Sequence, residues 1–171
     1  METNMSKSKL SIKSLGSKTI KVVALAATLW LTLASVAMAQ SFTFTSKNGE
    51  ITQLGGDGTN GVPYTAMTWT GTATRDTGDG KMLKSTSTCV MMSQPPNDSL
   101  FNMHMLCDVT SADDTFSTTM GCTVLNPETG ATSCIGGMYG TGGTLKGRGG
   151  SITSHSKSSG AIATGTGQWF E

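Results

Sequence analysis

The side chains with most chemistry to offer here are soft ones. Met91-Met92 and Met103-His104-Met105 set thioethers beside an imidazole, a donor set suited to Cu(I). In an extended chain, however, His104 points away from Met103 and Met105. The hairpin register that opposes the cysteines (below) also puts Met91 across from Met105 on one face and Met92 across from His104 on the other. The donors split two and two, so the methionines read as adaptable core filler, and no metal or other cofactor is expected. Asp76-Thr77-Gly78-Asp79-Gly80 gathers two carboxylates of the kind a weak Ca²⁺ loop uses, yet reads as a hairpin turn. Hydrolytic machinery is missing: there are two histidines, His104 and His155, and no Gly-x-Ser-x-Gly elbow. The glycine strings carry no Lys-Ser/Thr phosphate-loop ending. Asn97-Asp98-Ser99 matches a glycosylation acceptor, and the single RGG at Arg148 is too little for RNA binding.

The four cysteines are expected to be bridged rather than nucleophilic, since thiols in an exported domain oxidise by default. Three connectivities exist. A hairpin centred near residue 98, in the Pro95-Pro96-Asn97-Asp98 turn, puts Cys89 opposite Cys107. One centred on residue 128, in the Asn126–Gly130 turn, puts Cys122 opposite Cys134. A middle hairpin centred between Asp114 and Thr115 would also bring Cys107 opposite Cys122, with all four thiols at one level. The pairing favoured is Cys89–Cys107 with Cys122–Cys134.

Strands must position these groups, because almost every apolar stretch alternates with period two and none holds a helical period. Phe101, Met103, Met105, Cys107 and Val109 share a face, as do Phe116, Thr118, Met120, Cys122 and Val124. Met67, Trp69 and Ala73 lie opposite the threonines at 68, 70, 72 and 74. Leu83, Cys89 and Met91 share a face with Ser85 and Ser87. About eight strands result, joined mostly as hairpins. The glycine-rich C-terminal third lets a small sheet curl shut, with Trp169-Phe170 plugging one end or packing on Phe42 and Phe44. The fold class is all-β, a small antiparallel eight-stranded barrel, with a β-sandwich as the alternative.

Ahead of this domain, Lys7, Lys9, Lys13, Lys18 and Lys21 precede an apolar run from Val22 to Val36 and the small-x-small site Ala37-Met38-Ala39. That is the order of a secretory signal, and the run is short of the ~20 residues that span a bilayer. Residues 1–39 are therefore expected to be a signal cleaved after Ala39, and 40–171 one disulfide-stapled domain, periplasmic or secreted. Cleavage removes five of twelve basic and one of eleven acidic residues, leaving seven against ten and a net charge of −3. A mildly acidic domain without a basic cluster excludes the electrostatics of a nucleic-acid binder.

The stretch GGMYGTGGTLKGRGGSITSHS, Gly136 to Ser156, resembles the glycine-patterned segment of the bacterial allene oxide cyclase barrel-like proteins. Cys89, then Cys107-Asp108 leading to Asp113-Asp114-Thr115-Phe116, is similar to the middle of the same family. These are small secreted domains distantly similar to plant allene oxide cyclase and dirigent barrels. The resemblance implies an eight-stranded antiparallel barrel, often oligomeric. It departs from the family at GTLKGRGG, which lacks a bulky residue before the second glycine, and no catalytic residue of the family can be carried over to a matching position.

Function then rests on the inner face. Trp69, Ser85, Ser87, Met91, Phe101, Met103, Met105, Phe116, Thr118 and Met120 are expected to line it. That mixture suits an apolar pocket with a few hydroxyl handles. Asp76, Asp79, Asp108, Asp113 and Asp114 are expected on outward or turn positions, so no catalytic residue is assigned. The leading expectation is a non-catalytic barrel binding a small apolar ligand or a protein partner, without nucleic acid and with a membrane only during export. The alternatives are an isomerase or cyclase acting on an apolar substrate within the barrel, and a filled, purely structural barrel that interacts through its surface.

Overall fold

The computed structural model describes residues 40–58, 61, 63–93, 100–158 and 161–171. The expected signal and its cleavage site, the Pro95–Asp98 turn and the Asn97 acceptor all lie outside these residues.

Eight strands follow one another: β1 Gln40–Asp57, β2 Pro63–Asp76, β3 Met82–Ser93, β4 Met103–Ser111, β5 Asp114–Asn126, β6 Ala131–Gly143, β7 Gly149–Ser156 and β8 Ile162–Trp169. Each pairs antiparallel with the next, and β8 returns to β1, closing a barrel. Closure gives every strand a hydrogen-bonded neighbour on both sides over at least part of its length. Threonines face outward along β2 while Met67, Trp69, Ala73 and Arg75 face inward, the alternation that a half-buried strand needs. Two glycines of β8 make closure sterically feasible. A Cβ at Gly165 would meet the Phe44 ring at 2.6 Å, and one at Gly167 the Phe42 ring at 2.2 Å.

The two expected disulfides are present, Cys89–Cys107 between β3 and β4 and Cys122–Cys134 between β5 and β6. Each joins residues directly opposite in register. The middle hairpin is a correction: Cys107 lies opposite Thr118, and Cys122 opposite Met103. The four sulfurs therefore do not share a level. The physical reason sits in the β4–β5 turn, where the Ser111 hydroxyl donates to the Asp114 carbonyl (3.1 Å) and accepts from the Asp114 amide (3.2 Å). That clasp tightens the turn over Ala112 and Asp113 and makes Asp114 the first residue of β5.

One end of the barrel is sealed. Trp169 is 1% exposed and meets the Phe116 ring edge-on at 5.3 Å between centroids. Leu145, in the turn between β6 and β7, is buried with Phe42, Phe116 and Ile152 in the same cluster. Phe170 stays half exposed, so the plug is Trp169 alone. Trp69, Cys89 and Cys107 form a second buried cluster on the β2–β4 side. β1 pairs with β8 only as far as Lys47 and continues with β2 alone after a register shift between Asn48 and Ile51.

Candidate functional site

Between the two clusters runs a lumen. Its inner part is a cavity of about 120 Å³ whose wall includes Phe42, Phe44, Trp69, Arg75, Ser85, Ser87, Val109, Phe116, Thr118, Met120 and Ile152. Its outer part, of about 620 Å³, reaches the β5–β6 turn at Pro127 and Gly130 and is lined by Ile51, Met67, Met91, Met103, Met105 and Val124 among others. The two parts adjoin, sharing Asn48, Trp69, Met105, Ser154 and Ala163 in their walls. Register explains the character of the wall. Met67, Met91, Met105 and Met120 are opposed in turn across β2, β3, β4 and β5. One step toward the sealed end, Trp69, Cys89, Cys107 and Thr118 are opposed in the same way. Thioethers, which re-pack at little cost, thus form an arc over four strands of the lumen wall, above an indole and a disulfide.

Nine of the ten lining residues expected from sequence face this lumen. Ser85, Ser87, Phe116, Thr118 and Met120 are on the inner cavity, Met91 and Met103 on the outer one, and Trp69 and Met105 on both. Phe101 is a correction. It precedes β4, and its ring lies where a Cβ of Gly121 would be, 2.4 Å away, on the outer side of β5. There it makes an edge contact with His104, 6.4 Å between centroids. Period-two counting carried Phe101 inward because it assumed that the strand begins two residues earlier than it does.

Two charged residues absent from the expected lining lie at or behind the base of the lumen. Arg75, 7% exposed, lies at the base of the inner cavity with its guanidinium carbon 5.3 Å from the Phe42 centroid and 5.6 Å from that of Phe116. Such stacking offsets part of the cost of burying a cation. Burial lowers the Arg75 pKa from its ordinary value, and the Asp114 carboxylate opposes that shift. Asp114 is itself buried, which corrects its expected outward or turn position. Its Oδ1 accepts from the Thr144 amide and hydroxyl, both at 2.8 Å, and from the Leu145 amide at 3.3 Å, holding the sealing turn in place. A void of about 40 Å³ separates this group from the lumen, with Arg75 on the wall of both. The available signal was parity: Met67, Trp69 and Ala73 lead directly to Arg75 on the same face.

Two buried polar atoms in this region, Nη1 of Arg75 and Oγ1 of Thr118, have no hydrogen-bond partner among the described residues. The other carboxylates behave as turn and surface groups. Asp76 accepts from the Gly78 amide (2.8 Å), Asp79 from the Lys81 amide (3.1 Å), and Asp108 from Ser117 on the outer wall (2.5 Å).

No protein-family model matches the chain, and neither the curated proteins nor the solved structures searched contain a match.

Proposed function

We propose that this is an exported barrel that binds a small, mainly apolar molecule in its lumen. The observation that carries this reading is a lumen sealed at one end, with aromatic, aliphatic and thioether walls and only a few hydroxyls. A preformed pocket of that kind is what small-ligand sites have in common. Catalysis has less support, because the buried carboxylate Asp114 lines the small void behind Arg75 and is engaged with Thr144 and Leu145. Export is supported by the disulfides, which are compatible with an oxidising periplasmic or extracellular compartment, and by the signal-like residues 1–39. The glycine pattern of Gly136–Ser156 together with the closed eight-stranded barrel supports grouping the chain with the allene oxide cyclase barrel-like proteins.

The test is titration with the neutral dye N-phenyl-1-naphthylamine, whose emission rises in apolar surroundings. Saturable binding at one dye per barrel, lost when Ser154→Trp fills the lumen, is the expected result. Absence of saturable binding, or binding indifferent to that substitution, would overturn the reading.

A further inference from the structure

We propose that Met67, Met91 and Met105 form a binding site for a soft monovalent cation, Cu(I), in the wall of the outer lumen. Along the chain the soft donors divide between two faces. Met92 opposes His104 on the outer side and Met91 opposes Met105 on the inner one, the division that made them read as core filler. Around the barrel they gather. Met91 lies directly opposite Met67 on β2 as well as Met105 on β4. All three line the outer lumen and pack against the cluster of Trp69, Cys89 and Cys107. Met103, two residues from Met105 on the same face, lines the same space. Directly opposed residues have Cβ atoms about 4.5–5.5 Å apart, and closing a sheet into a barrel turns inward side chains toward one another. Their unbranched, flexible side chains then let the thioethers swing to a common point.

Space and chemistry set this group apart from filler. Filler closes the gap it packs into, whereas Met67, Met91 and Met105 stay half-buried on a space of about 620 Å³. None of the described residues in the wall of that space is Asp, Glu, Lys, Arg or His. Hard cations such as Ca²⁺ and Mg²⁺ favour carboxylate oxygens, so this wall suits them poorly. Neutral thioethers select Cu(I) instead and need lose no proton to bind it. The four cysteines are bridged and leave no free thiol to compete. No group of three His, Cys, Asp or Glu gathers among the described residues either. Trp69, the next inward residue of β2 after Met67, adds an indole beneath the thioethers, a ring able to face a cation.

The site is independent of the lumenal-ligand reading, and Ag(I), a soft monovalent ion without redox chemistry here, tests it. Oxidised protein carrying ¹³C-methyl methionine is titrated with silver nitrate in chloride-free buffer at pH 7, and the methyl resonances are followed by NMR. Those of Met67, Met91 and Met105 should shift together and saturate at one Ag(I) per chain, while exposed Met82 stays unmoved. Met91→Leu, a swap that conserves volume and fold, should weaken binding at least roughly tenfold, as loss of even a supporting group does at metal sites. Met92→Leu should leave affinity unchanged. Shifts confined to Met92, with binding lost in His104→Ala, would put the metal on the outer wall and overturn the proposal. Shifts spread over exposed methionines alike, or no shift at all, would overturn it too.

Discussion

Replacing the two disulfides separately sets loop length against burial, and the structure predicts which wins. Cys89 and Cys107 are 18 residues apart, Cys122 and Cys134 only 12. In the chain-entropy picture each link contributes about 3 kcal/mol, and the longer loop leads by only about 0.3 kcal/mol. Burial runs the other way. Cys122 is 0% exposed and sits with Cys134 in the large cluster around Phe42, Met120 and Trp169. Truncating both to Ala removes the Cys122 sulfur from dense packing and the Cys134 sulfur from the wall of the outer lumen, at about 0.8 kcal/mol for each methylene-sized group, plus a charge for the space left behind at Cys122. Cys89 and Cys107 line the lumen, so truncating them enlarges a space that already exists. Cys122→Ala with Cys134→Ala should therefore cost about 5 kcal/mol, and Cys89→Ala with Cys107→Ala about 3–4 kcal/mol. Urea unfolding of the oxidised protein and its two double variants, checked for two-state behaviour, measures the difference. Equal costs, or a larger loss for the Cys89 pair, would show that burial does not govern the order and would refute the reasoning.

Asp114→Ala should cost about 2–4 kcal/mol, because the Thr144 and Leu145 amides lose their acceptor in a buried turn; the red shift of Trp169 emission would report the loosened plug, and Asp114→Asn, which keeps Oδ1, should recover most of the loss. Adding one methyl to β8 should be felt at once: Gly167→Ala drives a Cβ to 2.2 Å from the Phe42 ring and should cost about 1–3 kcal/mol in a thermal or urea melt. Gly137→Ala, whose Cβ would meet nothing nearer than the Gly150 carbonyl oxygen at 3.7 Å, should instead gain roughly 0.4–1 kcal/mol in the same assay.

Much of the fold was legible because period-two alternation and turn chemistry act locally. The hairpin centres near residues 98 and 128 place both disulfides correctly, even though the second hairpin contains an irregularity between Val124 and Asn126. The middle hairpin was misread for a physical reason. Asp113-Asp114 has the composition of a turn, but the Ser111 hydroxyl satisfies both backbone groups of Asp114 and moves the reversal two residues back. Closure, too, depends on a non-local fit, that of the Phe42 and Phe44 rings against the Cβ-less positions of β8. No window of sequence near residue 42 contains that information.

Arg75 shows where alternation yields to a default about charge. Its parity is that of Trp69 and Ala73, yet a lone arginine four residues before Asp79 reads naturally as a solvated strand end. In the barrel the strand end is the sealed end, so the same position is enclosed by Phe42, Phe116 and the turn carrying Leu145. A filled barrel would have no use for a charge there: an apolar residue of similar volume would pack against the two rings without a desolvation cost. Retaining a cation whose Nη1 meets no acceptor among the described residues costs stability. The disulfide at Cys89–Cys107, whose Cys107 lies directly opposite Thr118, holds the neighbouring wall fixed. A pocket ordered before its ligand arrives loses less free energy on binding than one that must be ordered by it.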